Sequence, residues 1–191
     1  GVSPRWAHTY YPLAAEVAAD LGRLDDVTRI AQTYLAMAVH PTGEAAKLGV
    51  LNPLVRAEID AALDTGSEEH VERAQQTLTQ MNRILEDHPP RVASWTSVMT
   101  HAQNLAFAEA EMTRATEPSP DRWADALAIA DYAYYQLYAR WRLAEALLQS
   151  GERESGTTEL RDLYEEVARV GTQLLRTRAQ KTARRFGGRL G

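Results

Sequence analysis

The side chains best suited to bind a ligand lie close together in the C-terminal half of the sequence. Six large aromatic residues fall within 19 positions, from Trp123 to Trp141, and arginines flank the last of them. Aromatic rings bury a large area and keep a polar tip, so rings beside a guanidinium suit a groove that binds a small molecule or a peptide. The candidate binding residues are Tyr135, Tyr138, Trp141 and Arg142, with His101 on a preceding helix as a further candidate.

The same aromatic residues also fit a buried helix face. Large and small apolar residues recur there at i, i+3, i+4 and i+7, the stripe that a helix turns toward a protein core. A binding groove and core packing therefore remain two open interpretations of one pattern, which consists of Tyr134, Leu137, Tyr138, Trp141, Ala144 and Leu148.

The residue patterns of common catalytic and cofactor sites are missing. The sequence contains no cysteine, which excludes a thiol nucleophile, a zinc knuckle, an iron-sulfur site and a disulfide framework. It also contains no Gly-x-x-x-x-Gly-Lys-Ser/Thr loop, no Gly-x-Ser-x-Gly elbow and no His-Glu-x-x-His pair. We therefore expect no enzymatic activity, no metal site and no cofactor.

Adjacent carboxylates have a simpler explanation than catalysis. Asp25 and Asp26, like Glu68 and Glu69, fall where helices are predicted to begin. Acidic side chains stabilise the first turn of a helix, and neighbours on a helix diverge by about 100° and do not face one substrate. We predict a structural role for both pairs.

Composition and turn signals predict an all-α chain. By count there are 31 Ala and 21 Leu against 11 Val and 4 Ile, a balance that favours helix over strand. Gly22, Gly66 and Gly151 follow apolar-periodic runs as helix C-caps do, and Ser3-Pro4, Asn52-Pro53 and Ser119-Pro120 have the residue types of helix starts. These signals predict helices near 4–21, 24–39, 53–65, 67–87, 91–115, 120–131, 135–149, 153–170 and 173–186.

Short connections make consecutive helices antiparallel neighbours, and the hairpins repeat with an irregular period. The predicted fold is thus a superhelical array of antiparallel helical hairpins, a degenerate tetratricopeptide-like α-solenoid. We predict one domain over residues 1–191, with N-terminal hairpins in 1–90 and C-terminal hairpins, ending in a basic helix, in 91–191.

Charge is unevenly distributed along the chain. The net charge is -5, but residues 167–191 carry seven basic side chains and no acidic one. The remainder has 14 basic against 26 acidic residues, a net -12 that repels nucleic acid. No apolar run approaches the roughly 20 residues that span a bilayer, and the start resembles no signal peptide. We expect a cytoplasmic location, no membrane partner, and a fragment of a longer protein.

Four stretches of the C-terminal half resemble a known family. They read AEAEMTRA (108–115), SPDRW (119–123), YARWRLAEALL (138–148) and SGER (150–153). Together they resemble the helical segment of actinobacterial large ATP-binding regulators of the LuxR family. In that family an ATPase precedes a tetratricopeptide-like array, and a helix-turn-helix follows it.

The resemblance implies a sensor or interaction arm of a transcriptional regulator. Such an arm would bind an inducer or a protein partner in a concave helical groove and relay that event to DNA binding, with DNA contacted only through a neighbouring domain absent from this sequence. The alternative is a tetratricopeptide-like scaffold for protein contact or self-association, without a small-molecule site. A helical enzyme or carrier is a third alternative, for which the sequence offers no nucleophile and base pair.

Overall fold

The computed structural model describes residues 4–37, 41–89 and 99–190. Within these ranges the chain is helical and contains no strand, which confirms the all-α prediction. The helices are α1 (Pro4–Asp20), α2 (Leu24–Leu35), α3 (Leu48–Thr65), α4 (Glu68–Asp87), α5 (His101–Thr113), α6 (Pro120–Ala128), α7 (Ala133–Gln149), α8 (Arg153–Val170) and α9 (Gln173–Arg185), and a short 3-10 helix (Pro41–Lys47) leads into α3.

Helix ends follow the predicted glycine signals and the Ser119 cap. Gly22, Gly66 and Gly151 adopt positive φ angles of 67°, 71° and 90°, as a left-handed C-cap requires. Ser119 caps α6, because its Oγ accepts a hydrogen bond from the Arg122 amide at 3.4 Å. The acidic pairs lie in the first turns of α2 and α4, as predicted.

The helix predicted near 91–115 instead begins at His101, after the N-cap Thr100. The predicted stretch 91–98 lies outside the described residues.

The predicted helix start at Asn52-Pro53 is wrong. The helix α3 begins five residues before Pro53, at Leu48, and so carries a proline inside it. A proline in a helix interior costs about 3 kcal/mol, because a hydrogen bond is lost and the ring meets a carbonyl. Here the first turns of α3 are completely buried, at Leu48 and Leu51 for example, and that burial outweighs the cost.

The chain divides into two compact units, residues 1–115 and 116–191. In the first unit α3 is the central helix, and α1, α2, α4 and α5 all pack on it. The division predicted at residue 90 groups α5 with the C-terminal hairpins, whereas α5 contacts α3 and α4. One core cluster combines residues of α3, α4 and α5: Leu48, Leu51, Val55, Ile59, Ala74, Met81, Ala108 and Met112.

In the second unit α7 is the central helix. It contacts α6, α8 and α9, and α8 also contacts α9. The helices α7 and α8 approach closely at Gly156, where an added Cβ would lie 2.8 Å from the Leu148 Cγ atom. None of the helices in the described ranges combines the length and hydropathy needed to span a bilayer.

Candidate functional site

Four of the five predicted binding residues lie on α7 in the second unit. Tyr135, Tyr138, Trp141 and Arg142 are all buried there. Their spacing turns them toward the helices that pack on α7, which is the core-facing alternative of the sequence pattern. Their burial does not decide whether they bind a ligand, and that role stays a prediction.

The aromatic rings of this cluster pack edge to face. The ring centroids of Trp123 and Tyr138 are 6.1 Å apart, and those of Tyr138 and Trp141 are 5.6 Å apart, both with T-shaped geometry. Pairs of this kind contribute about 0.5–1.5 kcal/mol beyond the area they bury. Because Trp123 comes from α6, the cluster joins α6 to α7.

Arg142 is neutralised inside the same cluster. Its Nε donates to the Tyr138 hydroxyl at 3.1 Å, and its Nη1 donates to Glu145 Oε2 at 2.8 Å. Its guanidinium carbon lies 3.8 Å from the centroid of the Trp141 ring. A buried guanidinium needs such partners, since an unpaired charge in a core is strongly destabilising.

Trp141 ties α7 to the last helix. Its indole Nε1 donates a hydrogen bond of 2.9 Å to Thr182 Oγ1 on α9, and both residues are buried. The guanidinium carbon of Arg178, also on α9, lies 5.2 Å from the same ring centroid. The basic terminal helix is therefore held to the unit by a specific polar contact as well as by apolar packing.

His101 belongs to the first compact unit, whereas the other four candidate residues belong to the second. It is the first residue of α5, directly after the N-cap Thr100, which forms a capping box with Gln103. Burial lowers the pKa of His101 below its ordinary value, which favours the neutral ring. Among the described residues no group of three or more histidines and carboxylates is placed to hold a metal ion.

Ion pairs account for several carboxylates that the sequence pattern left unassigned. Arg140 on α7 donates to Glu159 Oε1 at 2.5 Å and also to Glu166, and both carboxylates lie on α8. Arg114 joins Glu111 and Asp60, at 2.5 Å and 2.7 Å. Glu159, Glu166 and Asp60 thereby link helices to one another, whereas Glu111 pairs with the C-cap residue of its own helix.

An exposed apolar face on α1 went unnoticed in the sequence pattern. We call it the α1 stripe; its five side chains expose between 44% and 65% of their areas. Their spacing of three or four residues keeps them within a narrow arc of the helix. The α1 stripe consists of Trp6, Tyr10, Leu13 and Val17 on α1, with Leu21 in the turn directly after the helix.

The opposite side of α1 is firmly held, so the α1 stripe cannot turn inward without breaking several contacts. Tyr11 stacks on Tyr34 of α2 with 5.4 Å between ring centroids, and His8 Nδ1 lies 2.5 Å from the Tyr34 hydroxyl. Glu16 pairs with the buried Arg56 of α3 at 2.9 Å. The small residues Ala7, Ala15, Ala18 and Ala19, all buried, complete this inner side.

A cavity of about 400 Å³ lies along the α1 stripe, between α1 and α2. Its wall is apolar on α1, and its rim on α2 carries Asp26 and Arg29, which pair with each other at 2.8 Å. A row of exposed apolar side chains beside a cavity is a candidate interaction surface. Comparison with protein-family models, characterised proteins and solved structures finds no match to this chain.

Proposed function

We propose that the chain is a non-catalytic interaction arm of a LuxR-type transcriptional regulator, built as a tetratricopeptide-like solenoid. In this proposal the α1 stripe receives an amphipathic helix of a partner protein. The observation that carries the proposal is the row of exposed apolar side chains on α1, bordered by a cavity. The regulatory part rests on the family resemblance of residues 108–153.

The occupant is a helix because the same hairpin already binds one. The helices α1 and α2 together pack against α3, where Val50 is completely buried in a cluster with Ala15 and Tyr34. The α1 stripe lies on another side of α1 and has the same chemistry. From Trp6 to Leu21 it covers about 22 Å at 1.5 Å per residue, which suits a partner helix of about four turns.

Charge decides against other classes of partner. The cavity is lined by charges of both signs, in Arg23, Asp26 and Arg29, and the chain outside residues 167–191 has a net charge of -12. Such a surface repels a nucleic acid and offers no concentrated charge to a strongly basic or acidic peptide. Apolar contact is therefore the main source of affinity. In this proposal the partner shifts the regulator toward the conformation in which the α1 stripe is accessible, because the partner binds only that conformation.

Photochemical cross-linking tests the occupant. The photoreactive amino acid p-benzoylphenylalanine replaces Val17 in cells that produce the protein naturally, and in a control chain it replaces Val170. Both valines are 58% exposed, so the two probes are equally accessible. We expect an adduct only from residue 17, and its cross-linked peptide should form an amphipathic helix.

A second substitution shows whether apolar contact holds the partner. With the probe at residue 17, Leu13→Ser should reduce the adduct several-fold, because Leu13 belongs to the α1 stripe. Leu63→Ser on α3, outside the α1 stripe, should leave the adduct unchanged. The two leucines are a matched pair, since they are similarly exposed at 44% and 51%. An adduct between two copies of the chain would instead support the self-associating scaffold. Absence of any adduct from residue 17 would overturn the proposed docking.

The coding sequence on either side of this chain tests the regulatory part separately. An ATP-binding Walker loop upstream and a LuxR-type helix-turn-helix downstream would support it. Flanking sequence with neither feature would overturn that part and leave the docking proposal standing.

A further inference from the structure

The second unit contains a cavity of about 310 Å³ that the proposed function does not use. It lies between the end of α7, the first half of α8, and the C-terminal end of α9 with residues 187–190. Its apolar wall includes Leu148, Leu160 and Phe186. The lining also contains three arginines, Arg153, Arg161 and Arg189.

The arginines come from two separate parts of the second unit. Arg153 and Arg161 are eight residues apart on α8, so they project from the same side of that helix, with Thr157 between them. Arg189 lies beyond α9, in the segment that closes the cavity. Three exposed arginines from two parts of the chain thus line one cavity, together with apolar residues.

The three cavity arginines have no side-chain partner within the described chain, in contrast to several other arginines of the unit. Arg140 and Arg142 bind carboxylates, and Arg176 donates to the Tyr164 hydroxyl at 3.1 Å. No ion pair or hydrogen bond from a described side chain engages the three cavity arginines. None of the described residues that line the cavity carries a carboxylate, and residues 167–191 contain no acidic side chain at all.

We propose that this cavity binds a small organic anion that joins a carboxylate or phosphate head to an apolar body. The guanidiniums of Arg153, Arg161 and Arg189 receive the head, since they present paired N–H donors that match either group. The apolar body packs on Leu148, Leu160 and Phe186. The site goes beyond the proposed protein partner, because it lies in the other compact unit and recognises a different chemistry.

A nucleic acid fits the same cavity poorly. A phosphate backbone satisfies the arginines but has no apolar group to enter the interior. A volume of about 310 Å³ is at the lower end of the range for small-molecule sites. The apolar interior therefore favours a free amphipathic anion.

Calorimetric titration of the 191-residue chain tests the proposal with defined probes. Octanoate and octyl phosphate should each bind one site per chain, and comparing them shows which head is preferred. Octanol lacks the head and inorganic phosphate lacks the apolar body, so each should bind at least tenfold more weakly. In amide NMR spectra the signals of Gly187 and Gly188 should shift with octanoate, which separates this cavity from the α1 stripe.

Substitution of the arginines checks that the head is recognised. Because single exposed ion pairs contribute little, we expect each of Arg153→Gln, Arg161→Gln and Arg189→Gln to weaken octanoate binding about two- to fivefold, and all three together roughly tenfold or more. Arg169→Gln, at an exposed position of α8 outside the cavity, should have no effect. Phe186→Ala should weaken octanoate more than inorganic phosphate.

Three results would overturn the proposal. They are equal binding of octanol and octanoate, octanoate affinity unchanged in the triple variant, and chemical shift changes that avoid Gly187 and Gly188. Binding of duplex DNA that the triple variant loses, without any binding of octanoate, would assign the arginines to nucleic acid instead.

Discussion

Substitution of Gly156 by alanine tests the close packing of α7 and α8 most directly. An added Cβ would lie 2.8 Å from Leu148 Cγ, 3.0 Å from the Leu148 amide nitrogen and 3.1 Å from the Ala144 carbonyl oxygen. Two of these three atoms belong to the backbone of α7, so a change of side-chain rotamer cannot relieve the contact. The two helices would have to move apart by a few tenths of an ångström.

The expected cost follows from two opposing effects. Overpacking a well-packed core costs about 1–3 kcal/mol. Alanine regains up to about 1 kcal/mol over glycine from helix propensity. We therefore expect Gly156→Ala to lower the free energy of unfolding of the second unit by up to about 2 kcal/mol, because two of the close contacts are with backbone atoms.

Hydrogen exchange read by mass spectrometry provides the assay, because peptides from residues 116–191 report on the second unit separately from the first. Ser155→Ala is the matched control, since it adds the same residue at an exposed position of α8 next to Gly156. We expect faster exchange in α7 and α8 for Gly156→Ala alone. Unchanged or slower exchange in these helices would refute the packing argument.

Three further predictions concern single contacts. Trp141→Phe removes the hydrogen bond to Thr182 and shrinks a buried ring, so it should cost more than about 1 kcal/mol. A double-mutant cycle with Thr182→Val in urea unfolding should assign about 1 kcal/mol of that cost to the hydrogen bond. Arg140→Gln removes the pair with Glu159 and should cost up to about 1 kcal/mol, with a difference from the wild type that shrinks as salt is added; a salt-independent difference would contradict an ionic origin. Burial lowers the pKa of His101, so the stability that the neutral ring contributes is present above the unfolded-state pKa of about 6.5 and is lost as the pH falls below that value. In urea unfolding the wild type should therefore lose more stability than His101→Gln between about pH 7 and pH 5. Equal losses in the two proteins would exclude this linkage.

Helix boundaries could be predicted where a local signal acts alone. The C-caps at Gly22, Gly66 and Gly151 depend on backbone angles that glycine adopts readily, and the structure confirms them. The helix start predicted at Asn52-Pro53 is wrong, because complete burial of the preceding turn at Leu48 stabilises a longer helix. A prediction from local signals has no access to that burial.

The α1 stripe could not be identified from the sequence because α1 is apolar on two sides. One side carries alanines together with Tyr11, and the other carries larger residues such as Leu13 and Val17. Hydrophobicity alone favours burying the larger residues. The structure buries the smaller ones, since alanines such as Ala15 allow the close approach of α2 that stacks Tyr11 on Tyr34.

The aromatic stripe of α7 and the three cavity arginines show how partners decide the role of an arginine. Arg142 has Glu145 three residues later, on the same helix side, and the structure joins them in a buried ion pair. Arg161 has Glu165 four residues later, yet the two form no ion pair in the described structure, and Arg161 lines a cavity. Spacing on one helix thus permits neutralisation without ensuring it.

The basic residues in 167–191 do not all serve one purpose, because some of them have partners inside the second unit. Part of the charge is used inside the second unit, because Arg176 binds Tyr164 and Arg185 approaches Glu145 at 3.4 Å. Arg189 instead reaches the mouth of a cavity whose wall is apolar. A basic tail serving only to attract a phosphate backbone has no need of an apolar interior beside its last arginine. Arg189 lines the same cavity as the apolar residues Leu160 and Phe186, and this combination favours the proposed organic anion over a nucleic acid as the ligand.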